Sequence, residues 1–234
     1  MKKIFALMAV CTMVFAANAQ IVSSNSRVLT ITKEKVPSRN YSRLFVAYAP
    51  LSFSGDAGKD ADAISGVALG WIKGSSISKE IPLYLEWGLY AKYNSKSEED
   101  SRSDGWGGTY TEKNSVKYFS ATVPFSLAYK YDIPGAEGVS LIPYLGLHAR
   151  VNIIGEDKYE TSGSSTESTR DHFDSTEIEG YKIDGANRFQ FGWQIGVGFN
   201  YKALHLGLAY SAEFTEYSKK LNTGGVMLSL GVNF

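Results

Sequence analysis

The side chains of this sequence best suited to proton transfer near neutral pH are three histidines, His148, His172 and His205. A hydrolase of the Ser-His-acid type would need one of them beside a serine and a carboxylate. His205 has Ser211 nearby in an alternating segment, but the sequence contains no Gly-x-Ser-x-Gly elbow. Gly196-Val197-Gly198 matches only half of a dinucleotide-binding fingerprint, and no helical segment follows it. We therefore expect no catalytic residues, no bound cofactor and no enzymatic activity.

Acidic side chains are concentrated between Gly155 and Asn187, where nine carboxylates stand against three basic residues. Their spacing lacks the regular ligands and the turn glycine of an EF-hand, so no metal site is predicted. A segment of this composition cannot bury a core, and it is typical of a solvated surface loop. Two functional alternatives are a docking surface for an extracellular partner and divalent-ion bridging to anionic lipopolysaccharide.

Seven ionisable residues fall on the polar side of alternating segments: Glu86, Lys92, Lys130, His148, Arg150, His205 and Glu213. If these segments are strands of a closed barrel, all seven side chains point into its interior. Unpaired charge is costly in such an interior, so we expect a luminal charge network of ion pairs. The alternative is a gate whose pairs open to pass ions or small solutes.

The N-terminus has the pattern of a secretory signal peptide. Lys2 and Lys3 precede an apolar run from Ile4 to Ala17, and Ala17-Asn18-Ala19 is a small-residue cleavage pattern. We predict that residues 1–19 are removed, which also removes Cys11, the single cysteine of the sequence. The residue before Cys11 is not the small residue that lipid attachment usually needs, which disfavours a lipoprotein.

Charge and hydropathy exclude two further classes of protein. The 24 Lys and Arg residues balance 24 Asp and Glu residues, and removal of Lys2 and Lys3 leaves 22 basic residues. A chain without excess positive charge does not neutralise a phosphate backbone, so we expect no nucleic-acid partner. After the predicted signal peptide no run of about 18 apolar residues occurs, so no transmembrane helix is expected.

Nearly all of the remaining chain alternates with a period of two, which is the pattern of β-strands. In the clearest segment, 189–201, bulky apolar residues alternate with Gln, Gly and Asn. Eight segments are recognised, at about 43–53, 64–73, 83–93, 119–131, 141–153, 189–201, 204–215 and 226–234. Pro124 and Pro143 fall inside two of them. Because proline cannot donate to a strand ladder, we expect bulges or strand ends there.

Eight strands of about ten residues suit a closed barrel that spans a bilayer with every backbone group paired. The two longest connections, 95–117 and 155–187, follow odd-numbered strands, whereas the connections near 74–80, 132–138 and Lys202 follow even-numbered strands. Long and short loops therefore lie at opposite ends, as in outer-membrane barrels. A soluble exported sandwich or barrel would also alternate, but its outer face would be charged. The interior of eight strands is just wide enough for side chains to fill it.

Four blocks of these segments also carry a family resemblance, YLEWGLY at 84–90, VPFSLAYKY at 123–131, PYLGL at 143–147 and FGWQIGVG at 191–198. They are similar to successive blocks of the porin-like outer-membrane β-barrel domain common in Bacteroidetes, over about 42–234. The resemblance implies an all-β, eight-stranded antiparallel up-and-down transmembrane barrel of the OmpA/OmpX type in the bacterial outer membrane. It brings no catalytic motif, and the family mostly lacks an assigned molecular activity.

The sequence thus predicts a signal peptide over 1–19, a periplasmic N-terminal extension over 20–41 and a barrel domain over 42–234. The predicted function is a structural or surface-interaction role with a side-chain-filled lumen, and the alternative is a narrow gated, porin-like channel. Expected partners are outer-membrane lipid and lipopolysaccharide, the barrel-assembly machinery through the last strand ending in Phe234, and an extracellular partner at the acidic loop 155–187.

Overall fold

The computed structural model describes residues 40–56, 58–59, 61–78, 80–103, 109–162, 167–178 and 181–234. The predicted signal peptide, 1–19, and the predicted periplasmic extension up to residue 39 lie outside the described residues. Within the described ranges, no helix has the length and apolarity needed to cross a membrane.

Eight antiparallel strands form a closed ring in the order of the sequence. They are β1 (Tyr41–Tyr48), β2 (Gly66–Ser76), β3 (Leu83–Ser103), β4 (Thr109–Tyr129), β5 (Val139–Thr161), β6 (Phe189–Tyr201), β7 (Leu204–Glu213) and β8 (Asn222–Asn233). Each strand pairs with its neighbours in the chain, and β1 also pairs with β8, which closes the ring. The predicted all-β, eight-stranded up-and-down barrel is confirmed.

Short connections lie at one end of the barrel, which we call the lower end. Only Lys202 and Ala203 join β6 to β7, and Lys202 adopts a positive φ of 53°. A positive φ at the first turn position is typical of the type II′ hairpin, whose twist matches that of the strands. The Lys202 N–H donates to the Gly138 carbonyl at 2.7 Å, which ties this turn to the connection between β4 and β5.

At the opposite, upper end, three strands of the ring project beyond it, and a fourth, short strand pairs with one of them. β2 stops pairing with β3 at Gly66 and Asn94, but β3 continues to Ser103 and stays paired with β4. β5 pairs with β4 as far as Thr161, and the strand Glu167–Asp171 adds to β5. At about 3.3 Å per residue, the part of β3 beyond Asn94 is roughly 30 Å long. We call this four-stranded projection, 95–103, 109–119, 154–161 and 167–171, the upper sheet.

The upper sheet corrects the prediction that 95–117 and 155–187 are loops. Most of its residues are polar on both faces, so the regular apolar alternation that marks a barrel strand is absent from them. Cross-strand pairs link the strands instead. The hydroxyls of Ser97 and Ser115 lie 3.0 Å apart, and the Arg102 guanidinium lies 3.2 Å from the Glu112 carboxylate. Further along 155–187, Thr176–Ile178 and Tyr181–Ile183 form a small hairpin.

The barrel is apolar outside and largely polar inside, with two small apolar clusters in its interior, one around Phe45 and one around Ile142. Outward side chains are apolar and exposed, as at Leu69 (63 %) and Leu147 (60 %). The buried polar set on the strands is Arg43, Glu86, Lys92, Asn94, Ser120, Thr122, Ser126, Ser140, His148, Arg150, Asn152, Gln190, Gln194, Asn200, His205, Glu213, Thr223 and Ser229. Soluble proteins rarely expose a contiguous apolar surface of this kind, whereas a barrel in lipid requires one.

The two strand prolines do not produce the expected bulges or strand ends. Pro124 pairs in register with His148, and Pro143 pairs in register with Val197. Pro124 has no paired residue on β3, and Pro143 has none on β4. Each ladder is interrupted there because the proline nitrogen has no hydrogen to donate. The register shift between β4 and β5 lies higher, between Phe119 and Ser120.

Candidate functional site

The upper half of the barrel interior holds a layer of four ionisable side chains. Lys92 comes from β3, His148 and Arg150 from β5, and Glu213 from the end of β7. The Arg150 Nη1 atom lies 2.5 Å from the Glu213 carboxylate, and the His148 Nε2 atom lies 3.4 Å from the same oxygen. The Lys92 ammonium donates to the Pro50 carbonyl at 3.3 Å. All four residues are buried, and Glu213 is the one carboxylate among the three basic side chains of this layer.

Glycines of β6 give the interior histidines their space. A Cβ atom on Gly192 would lie 2.6 Å from the His148 ring, and one on Gly198 would lie 2.5 Å from the His205 ring. Both distances are shorter than any van der Waals contact, so only glycine fits beside these rings. The alternating glycines of the predicted sixth strand therefore have a packing role that matches their inward position.

A second charged layer lies lower in the barrel, between β1 and β3. The Arg43 guanidinium lies 3.4 Å from the Glu86 carboxylate and donates to the Asn233 side chain at 3.0 Å. The Tyr41 hydroxyl donates to the same Glu86 carboxylate. His205, predicted for the luminal set, pairs with the Asn200 side chain at 2.7 Å.

Lys130, which the sequence places with the luminal charges, lies apart from both layers. It follows the last residue of β4 at the lower end, and its ammonium lies 3.0 Å from the Asp132 carboxylate. One third of the side chain is exposed. The structure therefore brings together Lys92, His148, Arg150 and Glu213, and it separates them from Glu86, His205 and Lys130.

Neutral side chains complete the interior above and between the charged layers. Asn94 donates to the carbonyls of Ala49 and Ile64, at 2.9 and 3.1 Å. Asn152 donates to Gln190 at 2.9 Å, and Gln190 donates to Thr223 at 3.1 Å. These contacts join different strands across the interior, which satisfies groups that burial would otherwise leave unpaired.

A small cavity of about 40 Å³ lies beside the lower layer. Its lining includes Arg43, Glu86, Gln194 and His205. A volume of this size holds a few water molecules when polar groups line it. Within the described ranges, no group of three or more His, Cys, Asp or Glu side chains is arranged to hold a metal ion.

Above the interior layers, a cluster of rings lies at the upper mouth. The Tyr217 ring contacts those of Tyr118, His172 and Phe173, with centroid distances of 6.0, 6.4 and 6.3 Å. The His172 Nε2 atom lies 2.8 Å from the Asp157 carboxylate, and its Nδ1 atom lies 3.1 Å from the Tyr217 hydroxyl. We call these five residues the mouth cluster.

Tyr217 is the buried centre of the mouth cluster. Tyr217 is 4 % exposed, and a Cβ on Gly155 would lie 3.0 Å from the Tyr217 hydroxyl. Burial raises the pKa of the Tyr217 hydroxyl well above its usual range, and the nearby Tyr118, Asp157 and Asp171 raise it further. The hydroxyl therefore stays protonated and remains a donor throughout the physiological range.

Arg43 and the mouth cluster were not predicted from the sequence. Arg43, the partner of Glu86, was overlooked because Phe45 and Ala47 on the same face blur the alternation of β1. Leu44 and Val46 are apolar and face outward, and their alternation with Arg43 would have indicated that Arg43 points into the interior. Contacts of the mouth cluster join residues 118, 157, 172 and 217, and no spacing in the sequence indicates them.

Structural comparisons return small outer-membrane proteins. Ail, the attachment invasion locus protein of Yersinia pestis, in complex with the heparin analogue sucrose octasulfate, is 17 % identical with a TM-score of 0.47, covering 84 % of this chain and 99 % of Ail. Neisserial surface protein A is 16 % identical with a TM-score of 0.42, covering 83 % and 97 %. At these values neither likeness carries a functional argument. A search of curated proteins finds no match.

A family profile gives the decisive comparison. The chain matches the profile described as "Outer membrane protein beta-barrel domain" over residues 5–234, nearly its whole length. This match agrees with the closed eight-stranded ring, the apolar outer face and the polar interior. The chain therefore belongs to the outer membrane protein beta-barrel domain family, and its location is the bacterial outer membrane.

Proposed function

We propose that this protein is a surface-interaction barrel, with a lumen filled by side chains and its functional surface at the upper end. The single observation that carries the proposal is the stacking of buried side-chain layers through the interior, capped by the mouth cluster. A filled lumen is a poor route for solutes. Function is then left to the parts outside the bilayer.

The charged layers favour a structural role for the interior. Arg150 and Glu213 are in ion-pair contact, as are Arg43 and Glu86, so these charges are offset inside the barrel. Breaking either pair would leave an uncompensated buried charge, which costs several kcal/mol. We propose that the luminal network predicted from the sequence works as two separate ion-pair layers that hold the strands in register.

The upper end fits an extracellular surface. Outer-membrane barrels have short periplasmic turns and long extracellular loops, and here the short turns lie at the lower end. We therefore place the upper sheet outside the cell and propose it as the partner-binding region. This region includes part of the acidic segment 155–187, whose composition also suggested a docking surface.

Conductance of the protein in a planar lipid bilayer tests the proposal. The segment from Gln20 to Phe234 is refolded both as the wild type and as a Glu213→Ala variant. A heat-dependent shift on a gel verifies that both form barrels. We expect no discrete current steps from the wild type. Frequent steps that change with the substitution at Glu213 would refute the filled lumen.

A narrow gated channel is the second candidate. Several buried polar atoms favour it, because Arg150 Nε, Glu213 Oε2 and Thr122 Oγ1 have no hydrogen-bond partner among the described residues. Such groups are the ones that a file of water could solvate. The same recording separates the two candidates, since only a channel gives steps whose size depends on the salt concentration.

We also propose the partners that an outer-membrane location implies. Lipid and lipopolysaccharide would contact the apolar outer face, and the barrel-assembly machinery would bind the last strand, β8, together with Phe234, which follows it. Export would use the predicted signal peptide, 1–19. Sequencing the N-terminus of protein isolated from outer membranes tests this last point, and a start at Met1 would refute it.

A further inference from the structure

One edge of the upper sheet has no neighbouring strand. β2 accompanies β3 only as far as the Gly66–Asn94 pair, and a backbone hydrogen bond from the Ser95 N–H to the Ser65 carbonyl, at 3.1 Å, follows that pair on the same side. Beyond it, β3 continues to Ser103 and pairs with β4 alone. Residues 97–103 are exposed. We call the stretch from Ser97 to Ser101 the free edge.

The backbone geometry fixes which groups the free edge presents. In an antiparallel strand the N–H and the C=O of one residue point to the same side, and successive residues alternate sides. Because the Ser95 N–H points away from β4, those of Ser97, Glu99 and Ser101 do so too. The β3–β4 register is continuous through this stretch. Among the described residues, no backbone group bonds to these three on that side.

The side chains around the free edge are predominantly acidic. Five carboxylates, those of Asp62, Glu98, Glu99, Asp100 and Glu112, stand against three cations, Lys96, Arg102 and Lys113, a net charge of minus two. Ion pairs join the three cations to four of these carboxylates, including Arg102 to Glu112 and Lys113 to Glu99, and two negative charges stay in excess. Lys96 lies 3.0 Å from Asp62 and 2.7 Å from Glu98, and these contacts raise its pKa.

We propose that the free edge binds an extended, basic peptide segment of an extracellular partner, which adds to β3 as a further strand. The three outward N–H and C=O groups supply main-chain hydrogen bonds, as in other cases of strand addition. The acidic surround selects for lysine or arginine in the added strand. This inference rests on the proposed surface-interaction function and names the chemistry of the partner.

A second copy of this chain is disfavoured as the occupant. Two barrels in one membrane share the same up-down orientation, so two free edges would meet as parallel strands. Glu98, Glu99 and Asp100 of one edge would then face the same carboxylates of the other, and like charges across a strand pair are destabilising. Charge on an edge is also a general means of preventing self-pairing. A basic strand relieves this repulsion.

The test measures peptide binding to protein purified from outer membranes and reconstituted in lipid nanodiscs. The probe is a nine-residue peptide in which lysine alternates with threonine or valine, and the control probe has glutamate in place of lysine. We expect the lysine peptide to bind at least tenfold more tightly. The double variant Ser97→Pro/Ser101→Pro should lose at least tenfold in affinity, because proline removes two outward donors and leaves the β3–β4 ladder intact.

The matched control, Ser97→Ala/Ser101→Ala, keeps both N–H groups and should bind as the wild type does. If the proline variant fails to fold, N-methylated peptides give the same information. Methyl groups on one alternating set of peptide amides should abolish binding, whereas methyl groups on the other set should leave it unchanged. Equal binding of the acidic peptide, or equal effects of both methylated sets, would overturn the proposal.

Hydrogen exchange gives an independent readout. The amides of Ser97, Glu99 and Ser101 should exchange freely in the protein alone and become protected with the lysine peptide. Protection without peptide, accompanied by dimers in light scattering, would show that a second copy fills the edge and would overturn the proposal. Barrels that give no current steps in the planar bilayer and bind no peptide would refute only this inference. Barrels that conduct would refute the proposed function.

Discussion

Replacing Glu213 with glutamine should destabilise the barrel more than any surface substitution. Glu213→Gln keeps the side-chain volume but removes the carboxylate that lies 2.5 Å from Arg150 and 3.4 Å from His148. The side chains of Arg150 and Glu213 are 3 % and 0 % exposed, so solvent screens the pair little. At an effective dielectric constant of about 20, charges about 4 Å apart interact by roughly 4 kcal/mol. Removing one partner of a buried pair costs a similar amount, about 3–5 kcal/mol.

Urea unfolding of refolded protein in lipid vesicles, followed by tryptophan fluorescence, measures this loss. Glu99→Gln is the matched control, because Glu99 lies 3.5 Å from Lys113 on the exposed upper sheet. Its effect should not exceed about 1 kcal/mol, as is usual for exposed pairs. A loss below about 1 kcal/mol for Glu213→Gln would show that the Arg150 charge is solvated. The ion-pair layer would then have no structural role.

Three further predictions address other parts of the barrel. Gly192→Ala should cost about 1–3 kcal/mol in the same unfolding assay, because the new Cβ would lie 2.6 Å from the His148 ring, and an unchanged midpoint would contradict that packing. Lys202→Gly should stabilise the barrel by up to about 1 kcal/mol, because glycine adopts the positive φ of 53° without strain, and destabilisation would contradict this. Because burial raises the pKa of Tyr217 above its unfolded value of about 10, the folded barrel keeps a proton that the unfolded chain loses. Stability should therefore be full below pH 10 and fall above it, and Tyr217→Phe should flatten that fall; an identical pH profile would refute the burial of the hydroxyl.

The barrel strands were predictable because lipid and a narrow lumen impose opposite demands on alternate residues. β6 begins and ends at the residues that the alternation indicated, Phe189 and Tyr201. The interior positions of Lys92, His148, Arg150 and Glu213 follow from the same alternation, since a side chain that is not lipid-facing in a closed ring must point inward. Strand order and closure follow from the number of strands and the short lower turns.

The upper sheet and the mouth cluster could not be predicted in the same way. Above the bilayer both faces of a strand are solvated, so polar residues such as Ser97, Glu99 and Lys113 leave no apolar periodicity. The contacts of His172 with Asp157 and Tyr217 depend on how long connections fold over the mouth, which no local pattern encodes. The prediction of bulges or strand ends at the two strand prolines was wrong for a different reason. A barrel strand tolerates one missing hydrogen bond at Pro124 or Pro143 without changing register.

Cysteine labelling tests the filled lumen most directly. The protein from Gln20 to Phe234 contains no cysteine, so single cysteines can be placed at the inward residue Ser126, the outward residue Leu127 and the exposed residue Ser97. A membrane-impermeant maleimide is added to the folded variants in lipid vesicles. We predict fast labelling of Ser97→Cys, and no labelling of Ser126→Cys or Leu127→Cys until urea unfolds the barrel. Fast labelling of folded Ser126→Cys, with Leu127→Cys still protected, would mean a water-filled lumen and would refute a lumen filled by side chains.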